Sequence, residues 1–169
     1  MTTPSRATPE DTDADAGRFA GRSVARRFVS PDGLIVLVGR TAGDNDILSL
    51  RLGAPRDFWL HVAGESGSHV VVRNPAGLER LPRDTLRFAA ALAARYSKAH
   101  RAKTHRAETH RAEAHRAGGR VAVHVATCGD VHKPRGFAPG KVVVDRFATV
   151  RVAPWQSTDP RAVERDHST

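Results

Sequence analysis

A chain of 169 residues with 27 Lys+Arg against 18 Asp+Glu, a net charge of +9 and a pI near 11.1 can bury one core of its own, and its field favours polyanions, nucleic acid first. The single cysteine, Cys128, excludes an internal disulfide, suits a reducing compartment and lies in an apolar run that predicts a buried thiol. The amino terminus has no signal-peptide core, and the longest strongly apolar run, residues 34–38, is far too short for a membrane span, so a soluble cytoplasmic protein is expected.

Residues 1–25, rich in Thr, Ala, Asp, Pro and Gly with no hydrophobic period, are expected to be a disordered leader, residues 26–153 the folded domain, and residues 154–169 a disordered tail. Pro31-Asp32-Gly33 is a strong turn signal flanked by residues 26–30 and the apolar run 34–38 and predicts a first hairpin. Residues 41–52, with Asp44 and Asp46 early and Ile47, Leu48 and Leu50 after them, predict a short helix.

Asp57-Phe58-Trp59-Leu60-His61-Val62 and Ser68-His69-Val70-Val71-Val72-Arg73 alternate across a five-residue Gly-containing loop and predict a second hairpin. If Val62 faces Ser68, then Leu60 faces Val70 and Phe58 faces Val72 on an apolar face. The same register puts Asp57 opposite Arg73, Trp59 opposite Val71 and His61 opposite His69 on the other face. An ion pair, an indole and two imidazoles exceed what solubility requires, and they direct attention to that face.

Residues 74–81 read as loop, and Pro82 opens a long Ala-rich helix. Leu86, Ala89, Ala90, Ala93 and Tyr96 recur on one side, while Arg87, Arg95 and Lys98 fall within an arc of about 80° on the other. Four His-Arg-Ala pentapeptides then begin at His100, His105, His110 and His115. A period of five turns successive histidines by about 140°, so the repeat never supplies the i, i+4 pairs of a helical metal site. It reads as a solvated insertion, residues 100–119, extending the helix. Residues 121–126 predict a strand, residues 131–140 a basic loop, and residues 141–144 with 147–152 a last hairpin around Asp145-Arg146. The expected fold class is α+β: a largely antiparallel sheet of hairpins, covered by one long Ala-rich helix and a short helix.

Gly39-Arg40 with Asn45-Asp46, Asp57-Phe-Trp-Leu-His61, Gly67-Ser-His-Val70, Ala89-Ala90 with Ala93-Ala94, Tyr96-Ser97, Val131-His-Lys-Pro-Arg-Gly136 and Pro139-Gly140 occur in an order and spacing that resembles the NFACT-R domain from about Phe28 to Val152. The resemblance implies the RNA-associated carboxy-terminal domain of large ribosome quality control proteins, which bind obstructed large ribosomal subunits with tRNA and drive tailing of the stalled chain. Shorter bacterial relatives carry the domain alone. There is no room here for the amino-terminal domain or the coiled-coil middle of the long proteins, so a standalone RNA-binding form is expected, without peptide-tailing activity of its own.

The residues offer three readings. In the first, an RNA-binding module contacts tRNA or rRNA on a large ribosomal subunit. Lys133, Arg135 and Lys141 then meet phosphates around turn residues, Arg40, Arg56 and Arg73 extend the track, and Trp59, His61 or His69 stack on an unpaired base. Trp59 could equally form a second hydrophobic layer beneath the long helix. In the second reading the module docks a ribosomal or RNA-modifying protein. In the third, His61 and His69 are the acid and base of an RNA or phosphate-ester enzyme, with Asp57 able to help hold a metal. No complete metal-ligand set, nucleophile elbow or phosphate loop accompanies that pair, so the RNA module is the expectation, with no catalytic residue, no metal and no cofactor.

Overall fold

The computed structural model describes residues 16–98, 119–154 and 163–164. Its centre is a seven-stranded sheet in the order β10-β7-β5-β6-β4-β3-β11, and every neighbouring pair is antiparallel. The strands are β3 (Ala25–Val29), β4 (Ile35–Gly39), β5 (Phe58–Val62), β6 (Val70–Val72), β7 (Val121–Thr127), β10 (Ala148–Val152) and β11 (Val163–Glu164). β1 (Arg18–Phe19) pairs with β2 (Arg22–Ser23), and β8 (Val131–His132) with β9 (Val143–Val144). The α+β class with an antiparallel sheet is thus the observed one.

Both early hairpins form, the second in the expected register. Ala25↔Gly39 through Val29↔Ile35 close around Pro31-Asp32-Gly33, where Gly33 takes φ +82°. Phe58↔Val72, Trp59↔Val71 and Leu60↔Val70 pair across the second hairpin, and Asp57 lies 3.4 Å from Arg73.

Alternation gives the sheet two faces. Phe58, Leu60, Val70, Val72, Val36, Val38, Phe28 and Val123 form one core with Phe88, Ala89, Ala90, Leu92 and Ala93 of helix α2 (Arg83–Arg95). Alanines on the covering side let the helix axis approach the sheet. The amino end of α2 is capped from outside the helix: Asp32 Oδ2 accepts from the Thr85 N–H at 3.2 Å and from its hydroxyl at 2.7 Å. On the opposite face, Leu37, Trp59, Val71, Ala126, Cys128 and Val131 pack with Leu48. That layer is covered by helix α1 (Ala42–Ile47) and the π-helical turn Leu48–Leu52.

Four expectations are corrected. The long helix stops after thirteen residues: Tyr96 leaves helical geometry, Ser97 bridges Gly67, and the Ser97 hydroxyl donates to the Ala94 carbonyl at 2.7 Å. Tertiary pairing ends it where alanine propensity alone would continue, and residues 99–118 of the repeat lie outside the described residues. The last hairpin does not form. β9 turns back on β8, while β10 joins the open edge of β7 as Ala148↔Val125 through Val152↔Val121. That arrangement satisfies two sets of backbone groups instead of one. Of the expected leader, residues 1–15 lie outside the described residues, but β1, β2 and the fully buried Val24 belong to the fold. Within the expected tail, Val163 and Glu164 pair with Val29 and Phe28.

One short loop, residues 63–67, ties both sides of the repeat. Ser66 O accepts from the Lys98 N–H at 2.8 Å, and the Ala63 N–H donates to Ala122 O at 2.9 Å.

Candidate nucleic-acid interface

The face under α1 is organised by side chains that point inward. The Thr41 hydroxyl caps α1 by accepting from the Asp44 N–H at 3.1 Å, and buried Asp44 pairs with Arg22 at 2.8 Å. Asn45 reaches across to accept from the His69 N–H at 3.0 Å and to donate to Gly67 O at 3.3 Å. Gly39 permits that approach, since a Cβ there would collide with the Asn45 side-chain amide.

The π-helical turn aims Ser49 at two aromatic groups. Trp59 Nε1–H donates to Ser49 Oγ at 2.9 Å, Ser49 Oγ lies 2.7 Å from His69 Nδ1, and His69 Nε2 lies 3.1 Å from Gly140 O. A carbonyl can only accept, so Nε2 carries the proton, Nδ1 accepts from Ser49, and the imidazole is neutral. Burial lowers the His69 pKa to about 4, reinforced by the charge of His61 and opposed by the Gly140 carbonyl. Sheet, turn and basic loop are thereby joined by one line of hydrogen bonds.

A second anchor holds the same loop. Lys133 Nζ donates to Ala138 O at 2.7 Å and Lys141 O at 2.9 Å, and lies 3.1 Å from Asp46 Oδ2. Asp46 Oδ1 accepts from the Gly140 N–H at 3.2 Å. Gly140 has φ +79°, and a Cβ on it would stand 3.2 Å from that of Ala42. The loop is therefore a fixed wall, with Arg135 and Lys141 exposed and Phe137 42% exposed.

Between this wall and the loop 63–67 runs a groove of about 820 Å³. Its lining includes Trp59, His61, His69 and His124 of the sheet, Phe137, Pro139 and Lys141 of the basic loop, Phe147 just before β10, and Glu65, Gly67 and Lys98. The floor is a continuous aromatic set. His61 meets His69 edge-on at 5.3 Å and stacks on Trp59 at 5.8 Å, while the ladder puts His124 directly opposite His61. Phe147 stacks on His124 at 4.1 Å and remains 50% exposed. Burial lowers the His61 pKa, opposed by the Gly67 carbonyl beside the ring and assisted by His124. Chemically the groove offers aromatic faces, neutral imidazoles and two rim cations against one acid, Glu65.

Of the nine residues singled out from sequence, Trp59, His61, His69 and Lys141 line this groove. Trp59 is 2% exposed and His69 1% exposed, and the polar atoms of both rings are used internally. Trp59 does form a second layer, but beneath α1 and the π-helical turn, on the face away from α2. Lys133 is a strut of the loop, and Arg135 is exposed at its tip. Arg40 follows β4, with Nε donating to Ser23 Oγ at 3.2 Å, outside the groove lining. Arg73 donates to Leu52 O at 2.8 Å beside Asp57, and Arg56 donates to Gly77 O at 2.8 Å. These two flank the opposite ends of β5 and β6 from His61 and His69, so the imagined track of arginines does not join the basic loop. The sequence reading missed Lys98, His124, Phe137 and Phe147. The sequence sets Phe137 within the basic loop and Phe147 at the start of a strand, and neither setting marks the ring as exposed; His124 could be found only from the β5–β7 register.

Cys128 is buried, with its thiol pushed up to about 12 by burial first and the Asp57 charge second. Among the described residues no group of three or more His, Cys, Asp or Glu is placed to hold a metal, and no helix is long and apolar enough to cross a membrane.

Comparison with known proteins converges on one family. The chain is 34% identical over 131 residues to the Rqc2 homolog RqcH of Bacillus subtilis, covering 78% of this chain and 20% of that protein. It is 31% identical over 135 residues to the Rqc2 homolog RqcH of Streptococcus suis, covering 79% and 21%. The chain thus spans about a fifth of the length of these curated relatives. A solved structure, the C-terminal part of the fibronectin/fibrinogen-binding protein from Streptococcus suis, superposes with a TM-score of 0.65 at 28% identity, over 83% of this chain and 49% of that one. The sequence profile described as the NFACT protein RNA binding domain matches residues 25–115, and the chain belongs to that family, NFACT-R.

Proposed function

We propose that this domain binds RNA in ribosome quality control, taking tRNA or rRNA on a large ribosomal subunit as its target. The observation that carries the reading is the groove itself: in a chain of net charge +9, Lys98 and Lys141 share its lining with aromatic side chains, beside a pre-formed loop whose Arg135 is exposed. Cations and backbone at a rigid turn position a phosphate backbone, and aromatic faces receive bases. A further relative, the ribosome quality control complex subunit NEMF homolog of Drosophila melanogaster, 36% identical over 72 residues, supports the ribosomal context by its name. Binding rather than catalysis is the reading favoured for the histidines, since both ring nitrogens of His69 are committed to Ser49 and Gly140 and neither is left to move a substrate proton.

The test is equilibrium binding to tRNA, large-subunit rRNA and a matched DNA duplex across a salt series. RNA binding with a steep salt slope and discrimination against DNA is the expected result. Equal binding to all three, or a ribosomal complex that survives nuclease and moderate salt, would replace this reading with nonspecific charge in the first case and a protein-docking module in the second.

A further inference from the structure

Two large apolar rings stand in water at the mouth of the groove. Phe137 is 42% exposed on the basic loop, and Phe147, 50% exposed, has His124 stacked against it at 4.1 Å. Neither belongs to the core of either sheet face. Both line the same groove as the ammonium groups of Lys98 and Lys141, with Glu65 the one acid among the lining residues. Exposed aromatic faces beside paired cations fit a ligand that is flat and apolar in one part and anionic in the next. In a paired A-form helix the base faces are covered by their neighbours, and only edges, sugars and phosphates remain to be touched. An unpaired nucleotide presents a free face.

We infer that the groove receives a single-stranded segment of RNA, with an unpaired base stacked on the Phe147 and Phe137 rings and the adjoining phosphates at Lys98 and Lys141. The inference rests on the RNA reading above and narrows its ligand to loops, bulges or ends. Stacking tolerates any base, so little sequence preference accompanies it. His61, neutral and with one face toward Trp59, supplies hydrogen-bonding capacity at the floor without adding charge.

The experiment compares a short single-stranded RNA with the same strand annealed to its complement, binding each to the full chain and to two double variants, Phe137→Ala with Phe147→Ala and Lys98→Ala with Lys141→Ala. The wild type should prefer the single strand. The phenylalanine variant should lose about tenfold or more in single-strand affinity, keep its duplex affinity and keep its salt slope. The lysine variant should lower the single-strand salt slope by about 1.4. Both phenylalanines are about half exposed, so an unchanged melting temperature is the control for folding. If the wild type binds strand and duplex alike, or the phenylalanine variant binds the strand as the wild type does, the inference is overturned while RNA binding itself stands. Binding to neither RNA overturns both readings.

Discussion

Protonating His69 would place a hydrogen on Nδ1, facing a Ser49 hydroxyl that already accepts from Trp59. Ser49 would then have to accept twice and lose its own acceptor, inside a site where His69 is 1% exposed. An unfolded histidine titrates near 6.5, whereas this one is lowered to about 4. Between those values the unfolded chain takes up a proton that the folded chain refuses, so stability is full above about pH 6.5 and falls as the pH drops toward 4. His61 is lowered in the same sense, by burial first. For His69 the expected loss is up to about 1.4 kcal/mol per pH unit within that window. Urea midpoints measured at pH 7.5, 6 and 5 should decline, and the decline should be shallower in His69→Gln. An identical slope in that variant would place the titration elsewhere.

At the scale of elements, the loop 133–141 separates two lysine-and-arginine roles that look alike in the sequence. Lys133 holds two carbonyls and Asp46, so Lys133→Ala should cost about 1–2 kcal/mol, or roughly 3–6 °C in melting temperature, and loosen the groove wall. Arg135 is exposed, so Arg135→Ala should leave the melting temperature unchanged while lowering the RNA salt slope by about 0.7–0.9. Thermal melts and a salt series on both variants separate the roles; equal melting temperatures would remove Lys133 from the wall. The sequence could not assign them, because the Asp46 partner lies 87 positions away and nothing local announces the pairing. The hairpins were legible for the opposite reason. Period-two alternation around Pro31-Asp32-Gly33 and around the loop 63–67 fixes register locally, so Trp59, His61 and His69 were correctly placed on one face. What neighbours a hairpin is a long-range matter: β10 beside β7, β9 beside β8 and the Ser97–Gly67 bridge that halts α2 all depend on contacts between distant segments. The motif residues Asn45, Asp46, Ser49's partner His69, and Gly140 turn out to build the wall and floor, and the exposed faces that a ligand would meet come from Phe137 and Phe147, outside every short motif.

At the scale of the whole molecule, five cations among the described residues are engaged before any partner arrives. Arg22 pairs with Asp44, Arg73 with Asp57, Lys133 with Asp46 and Arg146 with Asp130, while Arg26 lies 5.2 Å over the Tyr96 ring. Among the described residues, the exposed cations Lys98 and Lys141 line the groove, and Arg135 stands exposed on its wall loop. The sheet is covered on one face by α2 and on the other by α1 and the basic loop, and the covering layers meet at the loop 63–67. That loop grips the chain at Lys98 and again at Ala122, so the two ends of the pentapeptide insertion are fixed by the fold and not by what lies between them. Closing a longer or shorter span between fixed ends changes the free energy by only about 0.6 kcal/mol per doubling of length. Deleting residues 105–114, two of the four copies, should move the melting temperature by no more than about 2 °C, and a larger fall would show that the repeat packs on the domain. If the melting temperature holds, the copy number can drift between generations at almost no cost to folding, which leaves the insertion open to selection for its charge alone.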